Sequence, residues 1–205
     1  MSASVRALAL CLAMALGPPE APAQAAPVAS ATPAATQPVL DELMRLLAAR
    51  KHGHVSFTEV QVLGMLKRPL LSSGELSYDA PDWLEKRTLN PRPESLVLSA
   101  GVLTIRRGEH TRTLALAQYP QVAPWVESIR ATLAGDRSAL ERYFRLEFSG
   151  SLPHWSLVLV PVERTPGDTI AGIHITGEGA AMRTFEIRQT DGDHSILTIG
   201  PEIAP

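Results

Sequence analysis

The chain has 205 residues with 19 basic and 21 acidic side chains, a formal net charge of −2, and a single cysteine, Cys11. The two charge signs are interspersed, so no basic stripe suggests nucleic acid and no charge block suggests an extended tail. Past Cys11 no thiol remains for a disulfide, a nucleophile or a thiolate metal site, and a hydrophobic core must supply the stability.

Residues 1–25 read as a secretory signal peptide. Arg6 precedes an apolar run from Ala7 to Leu16 that is too short to span a bilayer, and Ala23-Gln24-Ala25 is a small-x-small cleavage signal. Cys11 sits inside the apolar run behind Leu10, which is not small, so a lipid-modified cysteine is not expected. The mature chain is expected to start near Ala26 and to work outside the cytoplasm. Residues 26–38 are rich in Ala, Pro, Thr and Ser and read as a flexible leader. Residues 39–205 then form one domain.

Val39 to Arg50 is the first helix, because Leu40, Leu43, Met44 and Leu47 fall on one stripe and Gly53 follows. The pattern then changes to a period near two. Strands are expected over 54–66, 70–78 with Gly74 as a bulge, 83–89, 95–99, 102–107 and 111–117. Ala100-Gly101 and Gly108 mark turns. Helical spacing returns at Val122, Trp125, Val126, Ile129 and Leu133. Asp136 is positioned to cap a second short helix with Leu140, Tyr143 and Phe144 on one face. Strands resume over 145–149, 155–162, 169–176, 182–190 and 195–199, with Asp191-Gly192-Asp193 as a hairpin turn. The sum is about eleven strands, one leading helix and a helical pair in the middle. Short connections without strand–helix alternation predict an α+β fold: a strongly curled antiparallel sheet, an incomplete β-barrel, with helices over its mouth.

The strands are aliphatic, while Phe, Trp and Tyr number 4, 3 and 3. Leu96 and Leu98, Leu103 and Ile105, Leu114 and Leu116, Leu157 and Leu159, Ile173 and Ile175, and Phe185 and Ile187 each mark one face. Two readings stay open. These side chains fill a core, or they line a cavity for acyl chains under the helices. A buried methylene is worth about 0.8 kcal/mol, so a 16-carbon chain would gain roughly 12 kcal/mol gross with no catalytic group needed.

Candidates for chemistry are thin. His52 and His54 could share one side of a strand, but Glu59 is the nearest carboxylate and no third ligand is evident. His174, between Ile173 and Ile175, is expected on the polar face. No G-x-S-x-G occurs. Gly177-Glu178-Gly179 lacks the helix that phosphate binding needs. No metal, cofactor or catalytic residue is expected.

Particular words in the sequence then carry a resemblance. His54-Val55-Ser56-Phe57-Thr58-Glu59 opens the first strand. Gly74-Glu75-Leu76-Ser77-Tyr78-Asp79-Ala80-Pro81, Thr88-Leu89-Asn90-Pro91 and Glu94-Ser95-Leu96-Val97-Leu98-Ser99-Ala100-Gly101 follow in order. This resembles the LolA-like family of periplasmic outer-membrane lipoprotein carriers, in detail over residues 39–110 and in element order over 39–200. The resemblance implies a curled sheet with a helical lid and a monomer that shields the acyl chains of a lipoprotein or lipid cargo in the periplasm. It also implies an inner-membrane donor, an outer-membrane acceptor and no catalysis. It makes Phe57, Leu76, Tyr78, Leu96 and Leu98 candidates for the lipid-binding wall, continued by Leu103, Ile105, Leu114 and Leu116. Trp125, Val126 and Ile129 become candidates for the lid face. The pattern departs at Glu59, where the family has glutamine, and at Ala80, where it has a basic latch before the proline. Its strand aromatics are reduced to Tyr78. A different glycolipid, polyketide-like lipid or acyl product fits the pattern equally. The competing readings are an envelope sensor or scaffold that uses the same fold to bind a protein, and a lipid hydrolase whose Ser-His-Asp geometry only a structure could show.

Overall fold

The computed structural model describes residues 33–119, 123–163 and 169–203. The signal-peptide assignment, most of the leader and Val122 of the helical stripe lie outside these residues. The leading helix α1 spans Pro33–Ala49 and so starts ahead of the expected Val39, taking in part of the stretch read as leader.

Eleven strands follow the alternation in the sequence. They are β1 (His52–Val62), β2 (Leu70–Asp79), β3 (Trp83–Asn90), β4 (Glu94–Ser99), β5 (Val102–Arg107), β6 (His110–Ala115), β7 (Phe144–Ser151), β8 (His154–Pro161), β9 (Ile170–Glu178), β10 (Ala181–Gln189) and β11 (His194–Glu202). Their burial has period two: on β8, Trp155, Leu157 and Leu159 are buried while Ser156 and Val158 between them are not. The expected bulge is present, since the β2–β3 register shifts between Ser73 and Gly74.

All strands join one sheet in the order β6-β5-β4-β3-β2-β1-β11-β10-β9-β8-β7. Two meanders therefore meet at a central β1–β11 seam, where Phe57 faces Ile199 and Glu59 faces Leu197. The sheet is open, with β6 and β7 at its two edges.

That order dictates where the helices go. The chain leaves the sheet at one edge, β6, and must re-enter at the other, β7. It does so through a 3-10 turn at Leu116–Gln118, α2 (Ala123–Ala134) and α3 (Arg137–Glu141). A connection that long across an apolar face is stable only if it buries its own apolar side there. Leu116, expected on a strand, opens this turn instead, because β6 stops at Ala115.

Asp136 caps α3 as expected. The Ala139 amide donates to Asp136 Oδ1 at 3.0 Å, and the Ser138 hydroxyl donates to the same oxygen at 2.8 Å. These bonds, the backbone one first, hold its carboxyl below the usual range. Tyr143 does not share a face with Leu140 and Phe144. Helix α3 ends at Glu141, Phe144 starts β7, and Tyr143 is left exposed. Gly135 lets α1 lie hard against this corner. Its φ is +62°, and a Cβ there would collide with the Met44 carbonyl.

The main core joins Leu40, Leu43, Met44 and Leu47 of α1 and Ala131, Ala139 and Leu140 of α2 and α3 to one half of the sheet. That half supplies Phe144, Trp155, Leu157, Leu159, Ile170, Ile173 and Ile175. All of these are 6% exposed or less.

Candidate functional site

The other half of the inner face packs less completely. Between α1, α2 and the sheet lies a hollow of about 160 Å³. Its floor is Val55 of β1, Leu76 and Tyr78 of β2, Leu84 and Lys86 of β3, Met182 and Phe185 of β10, and Leu197 and Ile199 of β11. Leu47 closes it from α1, and Ile129 and Leu133 from α2. The register explains the convergence. Val55 pairs with Leu76, Leu76 with Lys86, and Tyr78 with Leu84, so their side chains share one face. The seam adds β10 and β11, because Leu197 pairs with both Glu59 and Phe185.

Of the residues expected at the wall and lid, Leu76, Tyr78 and Ile129 border the hollow. Phe57, Leu98, Leu103 and Ile105 are buried elsewhere on the sheet, and Leu96, Leu114 and Leu116 are half-buried. Trp125 packs on the main core and Val126 is half-buried. The sequence reading missed Leu47, Leu133, Leu197 and Ile199. A signal for Leu47 and Leu133 was present, since both lie on recognised helical stripes. Nothing local announces Leu197 and Ile199, which reach the hollow only through the pairing of β11 with β1.

A polar cluster sits in this otherwise apolar floor. Glu59 is 7% exposed. Lys86 Nζ lies 2.6 Å from its Oε2, Ser72 donates to Oε2 at 3.0 Å, and Ser195 donates to Oε1 at 2.7 Å. The Lys86 ammonium also stands 5.2 Å from the centroid of the Phe57 ring. Burial alone would raise the Glu59 carboxyl. Attraction to Lys86 and hydrogen bonds from Lys86, Ser195 and Gln61 outweigh it, so Glu59 stays ionised below the usual range.

At the rim, Arg50, His52, Gly53, Ser77 and Ala180 surround the hollow. Arg50 Nη1 donates to the Ala180 carbonyl at 3.2 Å. His52 Nδ1 lies 2.5 Å from Asp79 Oδ1, and His54 Nε2 lies 3.3 Å from Glu75 Oε2. The two imidazoles therefore do share one side of β1. Their carboxylate partners, Asp79 and Glu75, come from β2.

The outer face carries a Ser-His-Glu alignment. Ser156 Oγ lies 2.8 Å from His174 Nε2, and His174 Nδ1 lies 3.7 Å from Glu186 Oε2. His174 is on the polar face, opposite Ile173 and Ile175, as expected. The parts of a nucleophile are present, but the setting is wrong for acyl transfer. Ser156 sits mid-strand, paired with Ser149 on one side and Thr176 on the other, where amides serve the ladders. A developing oxyanion needs free donors beside the nucleophile. Glu186 is also bound by Arg188 Nε at 2.7 Å, which with His174 holds its carboxyl below the usual range. This is a cross-strand polar ladder. Among the described residues no three His, Cys, Asp or Glu side chains converge as metal ligands would.

No curated protein matches the sequence. Among solved structures, the chain is similar to a LolA superfamily protein, NE2245 of Nitrosomonas europaea. The TM-score is 0.43 and the identity 10%, over 83% of this chain and 93% of that one. It is also similar to a chain in the MucA/MucB complex of Pseudomonas aeruginosa, with a TM-score of 0.47 and 16% identity over 82% of this chain and 58% of that one. LprF of Mycobacterium bovis gives 0.41 and 13%, over 86% and 96%. The family described as "Outer membrane lipoprotein carrier protein LolA-like" matches residues 29–201. An open eleven-stranded sheet strapped by helices, with a match over most of its length, makes this chain a member of the LolA-like family.

Proposed function

We propose that this protein is an extracytoplasmic carrier that shelters an acyl chain of a lipoprotein or lipid between its helices and the inner face of its sheet. It performs no chemistry on the cargo. The carrying observation is the hollow of about 160 Å³ with its mainly aliphatic and aromatic wall. A cavity of that size accepts an apolar guest of about six carbons. A longer chain requires α2 to rise from the floor. Membership of the LolA-like family supports the same reading. In that reading the chain is exported by its signal peptide, acts as a monomer, loads from an inner-membrane donor and delivers to an outer-membrane acceptor.

Native mass spectrometry of protein expressed in a periplasm tests it. Co-purified lipid, or uptake of a fluorescent fatty acid by delipidated protein, is the expected result. Protein that is lipid-free and binds no such probe overturns the carrier reading and returns the protein-partner reading.

A further inference from the structure

The cations that border the hollow differ in how their charge is matched. Lys86 on the floor is neutralised by Glu59 at 2.6 Å. Arg50 at the rim takes part in no ion pair among the described residues, and of its five N–H groups one serves the Ala180 carbonyl. It is not required as a helix cap. The Lys51 ammonium donates to Ala48 O at 2.7 Å, and the backbone amide of Arg50 itself serves Leu47 O. Asp79, on the neighbouring strand, is held by His52 at 2.5 Å. The guanidinium lies beside Gly53, its Nη2 4.0 Å from where a Cβ would stand. A half-buried, unmatched guanidinium beside an apolar hollow favours an anion more strongly than one in bulk water, and its fork suits a carboxylate or phosphate.

Resting on the carrier reading, we infer that Arg50 anchors the head group of the guest, and that the guest is a single-chain amphiphile whose head is a carboxylate or a phosphate. The small volume admits one tail, and the rim offers one unmatched cation. The head sits at Arg50 outside the hollow, and the tail runs inward past Ile129 and Leu76 towards Phe185.

Calorimetric titration of the delipidated full chain with four twelve-carbon probes below their micelle concentrations tests this. The probes are dodecanoate, monododecyl phosphate, dodecanol and dodecyltrimethylammonium. At least one anion should bind about tenfold tighter than dodecanol, as expected for a charge-assisted hydrogen bond. Preference for dodecanoate points to a fatty acid, and preference for the phosphate to a phospholipid-type head. Arg50→Gln should erase the advantage of the anions over dodecanol, and Arg50→Lys should keep part of it. The wild-type comparison needs no variant, so it stands even if a variant folds poorly. Equal binding of dodecanol and both anions, or of dodecyltrimethylammonium and the anions, overturns the head-group assignment and leaves the carrier reading intact. Failure of every probe to bind overturns both.

Discussion

The two halves of the sheet meet the same helices differently. On β7, β8 and β9 the inner face is fully occupied: Phe144, Leu157, Leu159, Ile173 and Ile175 lock onto α1 and the α2–α3 corner. On β1, β2 and β3 the helices leave Leu76, Leu84, Lys86 and Ile129 around open space. The principal helix–sheet contacts also fall on β7. One half therefore holds the helices, and the other lets them stand off. A cover fixed along one side and loose along the other can admit a guest without the core coming apart.

The largest expected contrast comes from truncating one leucine in each half. Leu159→Ala should cost about 3 kcal/mol in urea unfolding, the usual price of a cavity in a filled core. Leu96→Ala, half-buried on β4, should cost less than about 1 kcal/mol. Equal losses would break the distinction between the halves. Next comes the polar cluster under the hollow. Glu59→Ala should cost about 3 kcal/mol, because it strands Lys86 without its partner. The double variant Glu59→Met with Lys86→Met should recover most of that loss, since an apolar pair satisfies the site without charges.

The same carboxylate contributes to the acid limit. Its pKa is lower in the folded chain than in the unfolded one. The stability it contributes is therefore complete above the unfolded value of about 4.3 and is lost as pH falls through the folded value. The urea midpoint of the wild type should drop on acidification below about pH 4, and Glu59→Gln should flatten that drop. A variant with an unchanged acid limb would assign acid sensitivity elsewhere. The smallest effect on stability is expected at the cover. Ile129→Asp should move the unfolding free energy by less than about 1 kcal/mol, because the residue is half-buried beside open space. Uptake of a fluorescent fatty acid should fall about tenfold, as the new charge is desolvated by the guest. A stability loss exceeding the binding loss would make α2 ordinary core.

Much of the fold was legible in the sequence. Alternating aliphatics such as Leu157 and Leu159 marked several strands, and Ala100-Gly101 and Asp191-Gly192-Asp193 marked turns that the structure contains. Asp136 could be read as a cap because its bond partner is three residues away. The site was less legible because its parts meet across the seam. Glu59 and Ser195 are distant in the chain yet 2.7 Å apart, and no local pattern encodes that. Glu59 was noted as the carboxylate nearest two histidines and as a departure from a motif, and its burial against Lys86 depends on three strands lying in register. Arg50 passed as the end of a helix, since its importance comes from the hollow beside it. A filled floor and a hollow one use the same aliphatic residues, so hydrophobic period could not separate them.

The β1–β11 seam constrains the order of assembly. Strand β1 is the first of the sheet to emerge and β11 the last, yet they are hydrogen-bonded neighbours at its centre. A nascent chain lacking His194–Glu202 holds two separate ribbons, each with a raw inner border. The middle of the sheet must close last, over the longest loop available, which makes folding slow.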